Sequence, residues 1–224
     1  MFKNLLSFWK GKDFLAQVFE EFKNMLDDAE AMFTAVCARL LDNADEPGLK
    51  DRIYAIDKKI NNVQKDIRKR IVEQLSLQPT VDVTACLVLM SVVKDAERLG
   101  DYSKNLFEVT ELLEKPLDRT LFTQYFDQLE KEIATLFKST KEAFINADED
   151  KAKSAWDYEK NIAKTCDRIV QQLAESNISV NEAVCFTLIA RHFKRIVAHL
   201  VNIATSVILP LSDLDYFDER DGDR

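Results

Sequence analysis

Turn-forming residues are rare in this chain, and their scarcity is the strongest constraint on its fold. Only 4 glycines and 4 prolines occur among 224 residues. A β-sheet protein needs a turn about every 8–12 residues, so a sheet fold would require far more of them. The long stretches between these residues are filled with helix formers such as Ala, Leu, Glu, Lys and Gln. The sequence therefore predicts an all-α fold built from long helices.

Six helices are predicted from apolar residues that recur every three or four positions, with Pro, Gly or polar residues between them. Their approximate bounds are Asp13–Leu41, Leu49–Leu75, Val81–Lys115, Asp118–Asn146, Asp148–Glu175 and Ser179–Pro210. Thr80 is the predicted N-cap of the third helix, and Ser179 with Glu182 forms a capping-box pattern at the sixth. The third helix is apolar almost throughout Val81–Val93, which predicts a central, buried position.

The second half of the chain repeats the first, which predicts two tandem three-helix bundles related by a pseudo-twofold axis. Four residues of the third helix recur in the sixth, with Arg98, Leu99, Asn105 and Leu106 matched by Arg195, Ile196, Asn202 and Ile203. Long helices joined by short loops suit antiparallel packing within each unit. We place the two units at residues 1–116 and 117–224.

The charge and the cysteines limit the partners and the compartment. A net charge of −8 argues against binding to nucleic acid or to anionic lipid, since both need a basic surface. No apolar run approaches the roughly 20 residues of a transmembrane helix. Cys37, Cys86, Cys166 and Cys185 lie within helical patterns without C-x-x-C spacing, which indicates buried thiols in a reducing compartment. We therefore expect a cytoplasmic protein.

Two of the predicted helices carry polar stripes that could form a cation site. On the third helix, Glu97, Asp101 and Asn105 follow one another at intervals of four residues and share one face. On the second helix, Asp57 and Asn61 lie beside the apolar seam. If the two helices pack together, Asp57 and Asn61 converge on Glu97 and Asp101. Carboxylate and carbonyl oxygens are ligands of hard and borderline cations, so these four residues form a candidate metal site.

The same spacing also fits an ordinary solvated helix face. Acids at i and i+4 with Lys94 and Arg98 on a neighbouring stripe form intrahelical ion pairs in many exposed helices. Gly100 favours a special site, because a glycine inside a helix costs about 1 kcal/mol relative to alanine. Such a glycine often marks the close approach of another backbone or of a ligand.

The segment Glu-Arg-Leu-Gly-Asp-Tyr-x-x-Asn at 97–105, with Asp57–Asn61 on the helix before it, resembles the PhoU family of phosphate-signalling proteins. That family has tandem three-helix bundles with Glu/Asp-x-x-x-Asp signatures on the second and third helices, and the helix order of this chain fits it over most of the length. The resemblance implies a regulator that links a phosphate transporter to a sensor histidine kinase, or an accessory protein of sodium–phosphate and related transporters.

The resemblance also implies metal binding in the first half. Members of the family bind multinuclear metal clusters at these acidic motifs. Glu97 and Asp101 match the third-helix motif, Asp57 matches the first acid of the second-helix motif, and Asn61 stands where a second Asp is common. We therefore expect one metal site in this half, for a divalent ion or for iron or zinc.

The second half departs from the family pattern. Lys194 and Ala198 replace the two acids of the motif, and Ala163 stands four residues after Glu159. A lysine at this position repels a cation, so the sequence predicts no second metal cluster.

Other functions find little support in the residues. The chain has no Gly-rich phosphate loop, no H-E-x-x-H and no nucleophile elbow, so we expect no enzymatic activity. His192 and His199 are seven residues apart, nearly two turns along one helix, so a shared metal would need unusual reach. The alternatives to a phosphate regulator are a helical adaptor unrelated to phosphate and, less well supported, a metal-dependent enzyme or metal store.

The N-terminal segment Phe2–Trp9 has two interpretations. Its aromatic and apolar residues could form an amphipathic foot on a membrane or a partner, or fold back to cap the bundle. Peripheral membrane association and a homodimer are both compatible with the sequence.

Overall fold

The computed structural model of the chain describes residues 13–42, 46–77 and 82–214. Within these residues the backbone forms seven α-helices and one short 3₁₀ helix, and it contains no β-strand. The α-helices are α1 (Asp13–Asp42), α2 (Leu49–Leu77), α3 (Val83–Leu112), α4 (Arg119–Phe126), α5 (Leu129–Asn146), α6 (Glu149–Ala174) and α7 (Val180–Thr205), and the 3₁₀ helix is Leu211–Asp213. The prediction of an all-α fold is confirmed.

Helix α3 begins later and ends earlier than the sequence predicted. Asp82 caps it, because the Asp82 carboxylate accepts a hydrogen bond from the backbone N–H of Ala85 at 3.0 Å. The predicted cap, Thr80, lies outside the described residues. The helix ends at Leu112, where the extended backbone of Leu113 leads the chain towards Pro116.

The predicted fourth helix is two helices, so that prediction was wrong in one respect. Helix α4 ends at Phe126 because Asp127 adopts a positive φ of 51°, and α5 starts at Leu129. Aromatic rings pack next to the bend. The Phe122 and Phe126 rings of α4 stack on each other, and both contact the Phe186 ring of α7 edge-on.

Helix α7 starts as predicted but ends sooner. Ser179 and Glu182 form a capping box, in which each side chain bonds the backbone N–H of the other residue. The helix stops at Thr205, before three turn residues, rather than continuing to Pro210.

Helices α3 and α7 form the centre of the molecule. Helix α3 packs against α1, α2 and α7, while α7 also packs against α5 and α6. Buried side chains of both helices belong to a single continuous apolar core, which agrees with the central position predicted for the third helix. Residues of both halves contribute to this core. The division into units 1–116 and 117–224 stays a prediction.

Two further predictions concern the N-terminal segment and the membrane. The segment Phe2–Trp9, with its predicted membrane or capping role, lies outside the described residues. None of the helices in the described ranges has both the length and the apolar character needed to cross a membrane.

Candidate functional site

Gly100 sets the distance between α2 and α3 at the candidate site. A Cβ atom at position 100 would lie 3.0 Å from Cδ1 of Ile60, which is closer than ordinary van der Waals contact. Because glycine lacks that atom, the Ile60 side chain fits directly against the α3 backbone. The close approach predicted from Gly100 is therefore real, but it is made by a side chain rather than by a backbone or a ligand.

The two helices run antiparallel along this seam, and polar contacts follow it. The Tyr54 hydroxyl donates a hydrogen bond to Glu108 at 2.7 Å, and Lys50 pairs with Glu111 at 3.0 Å near the far end. This register places Asp57 of α2 beside the acids of α3.

The structure brings the predicted site residues together at the seam. The side chains of Asp57 and Glu97 are 13% exposed and that of Asp101 is 24% exposed, so these acids do not lie on a freely solvated face. Asn61 joins the group by donating a hydrogen bond from its amide to Oδ2 of Asp57 at 3.3 Å. The side chains therefore converge at the point where α2 and α3 meet.

Lys104 lies at the centre of this cluster, and sequence reasoning missed it. Its Nζ atom is 3.1 Å from Oδ2 of Asp57 and 3.2 Å from Oδ1 of Asp101, so the ammonium bridges the two helices. The signal was present in the sequence, because Lys104 stands three residues after Asp101 and such pairs meet on one helix face.

Arg98 adds a second cation at the outer side of the cluster. Its Nη1 atom bonds Oδ2 of Asp101 at 2.9 Å, while its Nε atom lies 3.6 Å from Oε2 of Glu97. Both oxygens of Asp101 are thus paired with cations, whereas the contact between Glu97 and Arg98 is longer. The acids Asp57, Glu97 and Asp101 face two cations, which leaves an excess of negative charge.

The pKa directions agree with this arrangement. Burial and then the neighbouring Asp101 carboxylate raise the pKa of Glu97 above its usual value, and Arg98 offsets only part of this rise. Burial alone would lower the pKa of Lys104, but hydrogen bonds to Asp57 and Asp101 outweigh it and raise the pKa overall. Lys104 is therefore a firmly protonated ammonium, and Glu97 is the acid whose charge is least compensated.

The donor set suits an ammonium better than a metal cluster. Among the residues that the structure describes, no group of three or more His, Cys, Asp or Glu side chains is placed to hold a metal ion. At this site the Lys104 ammonium lies between two of the predicted ligands, so their oxygens do not face an open centre. The assignment of a divalent, iron or zinc ion to Asp57, Asn61, Glu97 and Asp101 stays a prediction.

Comparison with known proteins identifies the family. A family model described as the PhoU domain matches the chain twice, over residues 22–110 and 126–207. The chain belongs to the PhoU family.

PhoU proteins of known sequence and structure are similar to it over most of their lengths. The "phosphate-specific transport system accessory protein PhoU homolog 1" of Thermotoga maritima is 25% identical over 207 residues, covering 85% of this chain and 79% of that protein. The solved PhoU of Pseudomonas aeruginosa has a TM-score of 0.76 at 22% identity and covers 87% of this chain and 95% of its own.

A second solved structure supports the same fold. The "phosphate transport system regulatory protein PhoU" of Streptococcus pneumoniae also has a TM-score of 0.76, at 16% identity, and covers 93% of this chain and 95% of its own. Membership of the PhoU family places the chain among regulatory and accessory proteins, which confirms the prediction that it is not an enzyme.

In the second PhoU domain, Lys194 stands at the position that corresponds to Glu97 in the repeat. Its ammonium bonds the Asp167 carboxylate of α6 at 2.6 and 2.7 Å. Each half of the chain therefore has a lysine on its third long helix that pairs with an aspartate on its second.

The two PhoU domains also meet through a buried polar pair that the sequence did not reveal. Asp95 of α3 is fully buried, and its Oδ1 atom lies 2.7 Å from Nδ1 of His199 and 3.1 Å from Nδ2 of Asn202 on α7. The repeat maps this pair onto His192 and Tyr102, whose rings lie 6.0 Å apart. Burial lowers the pKa of His192. Both histidines therefore belong to the interface between the halves, and neither is part of the acidic cluster.

Proposed function

We propose that this chain is a regulatory or accessory protein of phosphate transport that acts by binding a phosphate transporter or its sensor histidine kinase. The observation that carries the proposal is the double match to the PhoU domain, which spans most of both halves. The Thermotoga maritima relative, described as an accessory protein of a phosphate-specific transport system, supports the same conclusion.

Binding rather than chemistry is the mode of action in this proposal. The long helices share one core, so their outer faces are held in fixed positions and can present a defined surface to a partner. Action in the cytoplasm is part of the proposal, and it is supported by Cys37, Cys86, Cys166 and Cys185, which are all buried and free.

Deletion of the gene in its source organism tests the proposed function. We expect altered phosphate uptake and altered expression of a phosphate-starvation reporter, both restored by the wild-type gene. If both readouts stay unchanged in the deletion strain, the proposal is wrong and a helical adaptor unrelated to phosphate is favoured instead.

Co-purification from native membranes and cytosol tests the partner. The proposal predicts recovery of a phosphate transporter subunit or a sensor kinase with the tagged protein. Two exposed valines help to map the interacting face: Val184 on α7 is 51% exposed and Val72 on α2 is 55% exposed. Replacing either with Asp leaves the core intact, so loss of the partner in only one variant identifies the face it uses.

The same preparation addresses the two remaining predictions. Light scattering at several protein concentrations measures whether the chain forms a homodimer. Flotation with vesicles, with and without the partner present, separates peripheral membrane association through the partner from direct binding to lipid.

A further inference from the structure

The acidic cluster between α2 and α3 already contains a cation, the Lys104 ammonium, where the PhoU motifs imply a metal ion. The Lys104 side chain is 20% exposed, and its ammonium contacts one carboxylate on each helix. Partial burial strengthens such charged hydrogen bonds, because the surrounding dielectric is lower than that of water.

Oxygens of two of the predicted ligands, Asp57 and Asp101, are already paired with donors. Oδ2 of Asp57 accepts hydrogen bonds from both Asn61 and Lys104. Oδ1 of Asp101 pairs with Lys104 and Oδ2 pairs with Arg98. A metal ion would have to break most of these contacts and leave the Lys104 ammonium close to a second positive charge.

The composition of the cluster differs from that of an all-acid metal site. Asn61 is neutral and donates to Asp57, so the cluster carries less negative charge than a set of four acids would. A tethered ammonium also competes with free metal at a high effective concentration, because it is attached to the same helix as Asp101. In the second half a lysine–aspartate pair, Lys194–Asp167, also joins two helices, but from the repeat position of Glu97 rather than that of Lys104.

We propose that Lys104 replaces the metal ion in this protein: its ammonium neutralises Asp57 and Asp101 and joins α2 to α3, so the first half folds without metal. The proposal concerns how the cluster is stabilised and does not depend on which partner the protein binds. Its tests use the purified chain alone, so their failure would leave the proposed function untouched.

Thermal unfolding of Lys104→Met provides the first test. Removing the ammonium leaves two partly buried carboxylates without their shared partner, so Tm should fall by about 5 °C. Lys69→Met on α2 is the matched control, because Lys69 is 72% exposed and lies 3.8 Å from Glu73. Lys104→Arg keeps the charge and should recover most of the loss. A Lys104→Met variant as stable as the wild type would overturn the proposal.

Metal titration provides the second test, with Zn²⁺ and Mn²⁺ used separately after treatment with a chelator. The wild-type protein should show no rise in Tm and no stoichiometric binding by equilibrium dialysis, whereas Lys104→Met should gain stability from added metal. Adding Asp57→Asn to Lys104→Met should remove that gain. The proposal is overturned if the wild type binds metal stoichiometrically and loses it on Asp57→Asn, or if metal does not stabilise Lys104→Met.

Discussion

Three carboxylates at the α2–α3 seam have the same charge but different surroundings. Asp57 and Asp101 are both bonded to Lys104, and Asp101 is also bonded to Arg98. Glu97 has a single ionic contact at 3.6 Å, and burial and Asp101 raise its pKa. The ionised form of Glu97 is therefore less favourable in the folded state than in the unfolded state.

Glu97→Gln is expected to stabilise the protein at pH 7. Because the pKa of Glu97 is raised on folding, its contribution to the free energy of unfolding is present at low pH and is lost as pH rises through the folded pKa. The variant removes the charge, so its advantage should be clear at pH 7 and absent below the usual pKa range of glutamate. Urea denaturation at both pH values measures the difference.

Glu73→Gln serves as the control for this experiment, since the Glu73 side chain is 55% exposed. Its stability should differ little from the wild type at either pH. A Glu97→Gln variant that is no more stable than the wild type at pH 7 would show that Arg98 compensates Glu97 fully.

The helices differ in how closely they follow the local sequence. Ser179 and Asp148 cap α7 and α6 with side-chain hydrogen bonds to backbone N–H groups, as their residue types favour. The break between α4 and α5 has no such signal, because Asp127 is neither Gly nor Pro and yet adopts a positive φ. The packing of aromatic rings from α4 against α7 accounts for that strained residue.

Asp127→Gly is expected to raise the free energy of unfolding by about 1 kcal/mol, because glycine adopts a positive φ without steric cost. Asp127 is exposed, so the loss of its side chain should remove no core contact. Asp127→Ala is the matched control: it removes the same carboxylate but keeps the Cβ atom. Thermal unfolding compares them, and equal Tm values for Gly and Ala would contradict the prediction.

Gly100→Ala and Ile60→Val should show favourable coupling across the α2–α3 seam. Alanine improves helix propensity by about 1 kcal/mol but brings a Cβ atom to 3.0 Å from Cδ1 of Ile60. Valine lacks Cδ1, so the double variant should be more stable than the two single effects predict by about 1 kcal/mol. A double-mutant cycle from urea denaturation measures this coupling. Ile67→Val, at another buried position of α2, should instead add independently to Gly100→Ala.

The two halves are joined at the centre of the molecule by both apolar and polar contacts. Helices α3 and α7 pack side by side, and the fully buried Asp95 bonds His199 and Asn202 across their interface. A buried carboxylate needs these partners, so the pair fixes which residues of α3 face α7. Unfolding of one half should therefore expose the buried face of the other.

Asp95→Ala is expected to lower the free energy of unfolding by about 3 kcal/mol, because it leaves His199 and Asn202 without their buried acceptor. Asp95→Asn keeps an acceptor oxygen in the same place and should cost less. Both variants should unfold in one transition, followed by circular dichroism and tryptophan fluorescence. Two separate transitions in the wild type would contradict a shared core.

The sequence by itself determined the fold class, most helix bounds and the tandem repeat. These follow from apolar periodicity, capping residues and spacing along a helix, which are local properties of the chain. Only the tertiary structure decided three things: the bend at Asp127, the burial of Asp95 against α7, and the central position of Lys104. Each depends on side chains from different helices meeting in space, and local periodicity carries no information about which partner a given side chain will meet.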